Sequence, residues 1–299
     1  MKNQLERLKK EKNAVILAHY YAPAEVQEIA DYVGDSFYLA KVAKQCDAER
    51  IVFCGVRFMG ESAKLLNPDK KVLMPDPSAD CPMAHMVADG IIEEMRSKYE
   101  DLAVVCYINS TAELKSRSDV CVTSSNAVKI VRALPNRNIF FIPDRNLGRY
   151  VADQVPEKNV IINDGFCPIH ARITAEQVEA ERKKHPEAEV LTHPECDASV
   201  VELSDYIGST ADLIAYAKKS PVREFIICTE DGVDHKLVAD NPEKRFYYPD
   251  PHPCCRDMKR NTPETVLEVL LKEDKEISVD ERIREGAMKP LERMLELAK

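Results

Sequence analysis

At 299 residues, 44% of them hydrophobic and 31% charged, the chain can bury a core of ordinary globular proportions. A net charge of −9 argues against a nucleic-acid surface, and no apolar stretch approaches the roughly 18 residues that span a bilayer, so neither nucleic acid nor membrane is expected as a partner. The opening MKNQLERLKKEKN lacks the apolar run of a secretory leader; the ten cysteines are therefore expected to be cytoplasmic and reduced, where clustered thiols hold metals more often than disulfides.

In chain order, the first strand-like runs are AVILA, DYVGD, RIVFCGV and KVLMP. AEVQEIADYV lies between the first two, and its apolar Val26, Ile29, Ala30 and Val33 predict a helix over 24–33. A second set follows as AVVCYI, DVCVT, NIFFIP and NVIIN, with a helical pattern after Asn126. A third follows as EVLTH, DYIGS, EFIICT and RFYYP, with a helix from Thr210. Such short Val- and Ile-rich runs suit strands buried on both faces, and their alternation with helices predicts parallel α/β sheets. The segments 83–99 and 170–185 read as helices joining the copies. Thr174 has the capping-box spacing, Thr262-Pro263 marks another helix start, and the rest is a helical, charged tail.

The three sets are copies of one unit. His19, Tyr107 and His193 follow the first strand of each copy and step by 88 and 86 residues. Ser36, Ser124 and Thr210 come 17 residues later, each five after an aspartate: Asp31, Asp119 and Asp205. In a parallel sheet these positions lie at carboxyl ends, where ligands bind, and three helix starts with hydroxyls suit phosphate or carboxylate. The alternative for each hydroxyl is plain helix capping. Tyr21, Asn109 and Glu195 add unlike side chains beside the first strand ends, which suits an asymmetric small molecule.

Pro68, Pro156 and Pro242 repeat the same steps, and Cys81, Cys167 and Cys255 follow them by 13, 11 and 13 residues. Cys46, Cys54, Cys106, Cys121 and Cys228 sit in strand or helix patterns and read as inert core. Cys81, Cys167 and Cys255 lie in loops. Three thiolates brought together on a pseudo-threefold axis suit an iron–sulfur cluster with one iron left open as a Lewis acid.

HxY near the start, GDS, NPDKKV with CPMA, YxNST, TSSNA, PDRNLG, GFCPIH, HPEC, GST and CxxMKRNT occur in order from about residue 14 onward. Together they resemble the quinolinate synthase family. The resemblance implies three pseudo-threefold-related αβα domains, each with a four-stranded parallel sheet, around one [4Fe-4S] cluster. The division implied is 1–85 with the tail 263–299, then 86–171, then 172–262. The tail is expected on the first domain.

The implied reaction condenses iminoaspartate with dihydroxyacetone phosphate to quinolinate, releasing phosphate and water, in NAD biosynthesis. Cys81, Cys167 and Cys255 become cluster ligands. The CxxM match and the 13-residue spacing favour Cys255 over its neighbour Cys254. His19, Ser36, Tyr107, Asn109, Ser124, His193, Glu195, Ser209 and Thr210 become substrate contacts, with Met258 nearby. Tyr21, Glu195 and His193 become the acid–base set. An aspartate-oxidising enzyme is the implied source of the imine. The competing readings are another cluster-dependent hydro-lyase and a non-catalytic iron–sulfur redox or sensor protein.

Overall fold

Residues 1–299 are described by a computed structural model. The first unit runs α1 (Lys2–Glu11), β1 (Ala14–His19), α2 (Ala24–Gln27), β2 (Tyr32–Gly34), α3 (Ser36–Gln45), β3 (Arg50–Cys54), α4 (Arg57–Leu66) and β4 (Lys71–Leu73). The second runs α5 (Ile91–Lys98), β5 (Leu102–Tyr107), α6 (Ala112–Ser116), β6 (Val120–Val122), α7 (Ala127–Ala133), β7 (Asn138–Ile142), α8 (Arg145–Gln154) and β8 (Asn159–Ile162). The third runs α9 (Ala175–Lys184), β9 (Glu189–Thr192), α10 (Ala198–Val201), β10 (Tyr206–Ile207), α11 (Thr210–Lys219), β11 (Glu224–Cys228), α12 (Asp234–Asp240) and β12 (Arg245–Tyr247). The tail holds α13 (Pro263–Lys272) and α14 (Glu281–Leu297).

Three separate four-stranded sheets form, with the same strand order: β2-β1-β3-β4, β6-β5-β7-β8 and β10-β9-β11-β12. Every pairing is parallel. The order reverses between the first and third strands of each unit. The crevice at their carboxyl ends is where such sheets bind ligands.

Two devices recur at repeat positions and explain much of the repeat. Asp31, Asp119 and Asp205 each accept a first-strand amide, from Ile16 at 2.8 Å, Val104 at 2.7 Å and Val190 at 2.8 Å. Lys70, Lys158 and Lys244 each donate to carbonyls at the end of the unit's second long helix: Ala43 and Cys46, Leu134 and Asn136, Ala217 and Ser220. A lysine there satisfies orphan carbonyls and opposes the helix dipole.

The predicted helix over 24–33 is one turn, Ala24–Gln27. It stops because Asp31 turns back to hold Ile16, while Tyr32–Gly34 pair with Leu17–His19. The apolar spacing that imitated a helix arises from a short helix and a strand facing the same core.

The tail also differs from expectation. α13 lies against α1 and β3 of the first unit, and Glu276 bridges the edge strand at Leu73. α14 crosses instead to α6 and β6 of the second unit, with a further contact to α4. Its buried stripe of Ala287, Leu291 and Met294 completes a core shared by the first two units. Gly286 permits the approach, since a Cβ there would meet the Ser116 carbonyl at 3.2 Å. The third unit keeps its own apolar clusters on the two faces of its sheet. Its connections to the first two units include polar ones, such as Gln27 to the Gly232 carbonyl at 3.0 Å and Lys259 to the Tyr21 carbonyl at 2.9 Å.

Candidate active site

The strand ends of all three units converge on a narrow cavity of about 40 Å³. His19 and Tyr107 close β1 and β5, and His193 follows β9. All three line the cavity, as do Tyr21, Asn109 and Glu195. Ser36, Ser124 and Thr210 line it from the helix starts.

The capping alternative fails for these hydroxyls. Asp35 caps α3 by accepting the Tyr38 amide, and Ser209 caps α11 by accepting the Asp212 amide. Asn126 holds the N-cap position of α7. Ser36 and Thr210 are therefore first helical residues, and Ser124 lies in the turn before α7, so none of the three serves as a cap. Ser209 differs from the sequence expectation. Its hydroxyl is engaged with Asp212 at 2.6 Å, and it stands behind Thr210 rather than on the cavity wall.

The tautomers of two histidines follow from backbone donors. The Tyr21 amide donates to His19 Nδ1 at 3.1 Å, and the Glu195 amide donates to His193 Nδ1 at 3.2 Å. Each ring must then carry its proton on Nε2. Burial pushes both imidazoles down to about 3, so they are neutral donors at ordinary pH.

Burial opposes ionisation of Glu195, but His170 beside it and hydrogen bonds from His170 and Tyr107 outweigh it and hold the carboxyl below its usual range. Glu195 Oε2 lies 2.8 Å from His170 Nδ1. From His170 a chain of contacts continues: Nε2 to Thr229 Oγ1 at 2.9 Å, Thr229 Oγ1 to the Tyr21 hydroxyl at 2.7 Å, and Tyr21 to Thr210 Oγ1 at 2.7 Å. Burial and the nearby Glu195 charge push the Tyr21 hydroxyl well up, so it stays protonated. The sequence reading missed His170 and Thr229. The available signal was positional: Thr229 follows β11 at the switch-point crevice, and His170 stands three residues after Cys167.

Tyr21, Asn109, Glu195 and Met258 form a wall shared with a second cavity of about 350 Å³. Cys81, Cys167 and Cys255 line that second cavity. Each follows the fourth strand of its unit, which is why three distant segments meet. Burial pushes Cys81 up to about 12, Cys255 up to about 11 and Cys167 well up. Such thiols become thiolates only beside a cation, as a soft metal group provides.

The donor atoms of Cys167, His170 and Glu195 lie within 4.8 Å of one another, as do those of Glu230, Asp231 and Cys254. On the shared wall, Glu195 Oε1 and Asn109 Oδ1 are buried without a partner. The donor set, the room and the orphaned oxygens fit a thiolate-held iron–sulfur group facing a polar ligand.

The quinolinate synthetase A protein family matches residues 3–296. This chain is 53% identical to a quinolinate synthase of Caldicellulosiruptor bescii over 297 residues, covering 99% of this chain and 98% of the relative. It is 52% identical to one of Fusobacterium nucleatum, covering 100% and 99%. A third, from Aquifex aeolicus, is 47% identical, covering 100% and 94%.

Proposed function

The chain belongs to the quinolinate synthetase A family, and from that premise we propose that it is a quinolinate synthase, condensing iminoaspartate with dihydroxyacetone phosphate to quinolinate with release of phosphate and water. The observation that carries the reading is the shared wall, with three thiols from three units on one side and a ring of neutral and anionic polar groups on the other. Cys81, Cys167 and Cys255 would hold one [4Fe-4S] cluster per chain, supplying an iron with an open position as a Lewis acid. The site division follows the repeat as 1–85, 86–171 and 172–262, with 263–299 spanning the first two units.

Both substrates are anionic, and the ring suits them. His19 and His193 present Nε2–H donors, while Ser36, Ser124 and Thr210 present hydroxyls at helix starts, where free amides favour negative charge. Substrate carboxylate and phosphate oxygens occupy these donors. Asn109 Oδ1, an acceptor without a partner, takes an N–H or O–H of the substrate.

Ring closure and dehydration require protons to be removed and returned at different atoms. Glu195, kept ionised, is the base, and its free Oε1 faces the wall. Tyr21 is the acid. With Glu195 ionised, His170 Nδ1 donates to it, and the contacts of His170 Nε2 with Thr229 and of Thr229 with the Tyr21 hydroxyl link base and acid through side chains alone. Iminoaspartate hydrolyses readily, which suits a transient hand-off from an aspartate-oxidising enzyme.

The test is an anaerobic assay of iron-loaded protein with dihydroxyacetone phosphate and iminoaspartate generated in place. Quinolinate should form and should require both substrates. Iron-loaded protein that makes none would overturn the reading.

A further inference from the structure

Each of the three cysteines gives its backbone amide to a carboxylate. Cys81 donates to the adjacent Asp80 at 2.8 Å, Cys167 to Asp144 Oδ2 at 3.0 Å and Cys255 to Glu230 Oε1 at 2.9 Å. The first contact is local and partly exposed. The other two are not. Asp144 and Glu230 are both 0% exposed and come from loops 23 and 25 residues before their cysteines.

These two carboxylates occupy one repeat position, 86 residues apart, each two residues after the third strand of its unit. Each uses both oxygens. Asp144 Oδ1 accepts the Leu147 amide at 2.7 Å, and Glu230 Oε2 accepts the Gly232 amide at 2.7 Å. One side chain thus ties the turn after the third strand to the cysteine loop after the fourth. The equivalent position in the first unit is Val56, and there Asp80 substitutes locally.

We propose that Asp144 and Glu230 are positioning residues for the iron–sulfur group: they fix the Cys167 and Cys255 loops and withhold both amides from the sulfur atoms of the cluster. The proposal rests on the cluster reading above. Its physical content is that hydrogen bonds to thiolate or sulfide sulfur raise the reduction potential of such a cluster. An amide committed to a carboxylate makes no such bond, so the cluster takes up an electron less readily than it would with those two amides free, whatever other donors, such as His170 Nδ1 at 3.1 Å from Cys167 Sγ, contribute. That suits a cluster that binds substrate rather than carrying electrons. A carboxylate is required because two amides need two acceptor oxygens. Asn or Gln would set an NH₂ against one of them.

The experiment compares wild type, Asp144→Asn and Glu230→Gln after anaerobic loading with iron and sulfide. Asp205→Asn serves as control, since Asp205 also accepts a backbone amide, that of Val190, through one oxygen, and lies outside the cavities. Two quantities are read: the rate of iron loss to a chelator, and the midpoint of one-electron reduction followed by EPR. The two site variants should lose iron several-fold faster and show a more positive midpoint. The control should lose thermal stability while matching wild type in both. Site variants that match wild type in midpoint and iron loss would overturn the proposal, as would a control that shifts both equally. If Asp144→Asn does not fold, Glu230→Gln decides alone. A wild-type chain that takes up no iron overturns the cluster reading and this proposal with it.

Discussion

Glu195 is held through one carboxylate oxygen while the other is free, and this makes its role separable from binding. Its carboxylate meets His170 at 2.8 Å, while Oε1 stays free. Glu195→Gln keeps the shape and removes the proton acceptor. Turnover should fall by orders of magnitude with a far smaller change in substrate affinity, because the lost interaction belongs to the transition state. Steady-state and equilibrium binding measurements decide this, and near-normal turnover would mean that the base is another group.

Ser124 carries a hydroxyl without a capping duty. Ser124→Ala removes a bond to a charged substrate oxygen, worth about 1.5–3 kcal/mol, and should weaken binding by roughly one to two orders of magnitude with iron retained. Thr210→Val should do more, since it also unties Tyr21, and should lower turnover as well as affinity. Equal effects of the two variants would deny Thr210 its second role.

His19 yields a pH prediction with a definite sign. Folded, it takes up a proton only near 3, whereas an unfolded histidine does so near about 6.5. Between these values the unfolded state binds more protons. Stability is therefore intact above the unfolded value and falls as pH is lowered through this window. Urea midpoints of wild type should drop more steeply from about pH 7 to about pH 5 than those of His19→Gln. Parallel curves would show that His19 titrates normally.

At the scale of elements, the repeat does two unlike jobs. Asp31, Asp119 and Asp205, with Lys70, Lys158 and Lys244, are the same residue three times and do the same structural task three times. The strand-end positions are less uniform: Tyr107 stands where the other copies have His19 and His193, and Tyr21, Asn109 and Glu195 share one repeat position, as the proposed asymmetric ligand would require. Lys244→Met keeps the aliphatic stem and removes the cap on α11. It should cost about 1 kcal/mol of stability by thermal unfolding and leave substrate affinity unchanged. A loss of affinity would mean that the cap sets the position of Thr210 at the other end of the helix. The misread helix over 24–33 belongs to this scale too. Helical spacing of apolar residues cannot distinguish one helix from a turn and a strand that share a buried face.

For the whole molecule, the three cysteines line one cavity although each comes from the loop after the fourth strand of a different unit. Loss of any one ligand should therefore empty the cluster. Cys81→Ala, Cys167→Ala and Cys255→Ala should each lose most bound iron after anaerobic reconstitution. Cys254→Ala should keep about four irons, since Cys254 is exposed. Iron retained in Cys255→Ala and lost in Cys254→Ala would move the ligand by one position. α14 also acts at this scale. By bridging α4 and α6 it joins the first two units into one core. The third unit keeps a separate core and meets the others partly through the polar groups of the site itself.

Sequence alone carried the threefold unit, the strand and helix alternation and most of the residues that line the two cavities, because these are periodic or local. Val- and Ile-rich runs mark the strands, fully buried at β5 but half-buried at the edge strand β8, and steps of 88 and 86 residues align His19, Tyr107 and His193 without coordinates. Contacts between units have no such period. That Ser209 caps while Thr210 faces the cavity depends on one residue of helix phase. The His170–Thr229–Tyr21 chain joins all three units' loops through side chains up to 208 residues apart. The resting place of α14, on α6 and β6 with a contact to α4, is a tertiary contact that its apolar stripe does not by itself specify. Each of these is set by packing in three dimensions, where the neighbour that matters is distant in the chain.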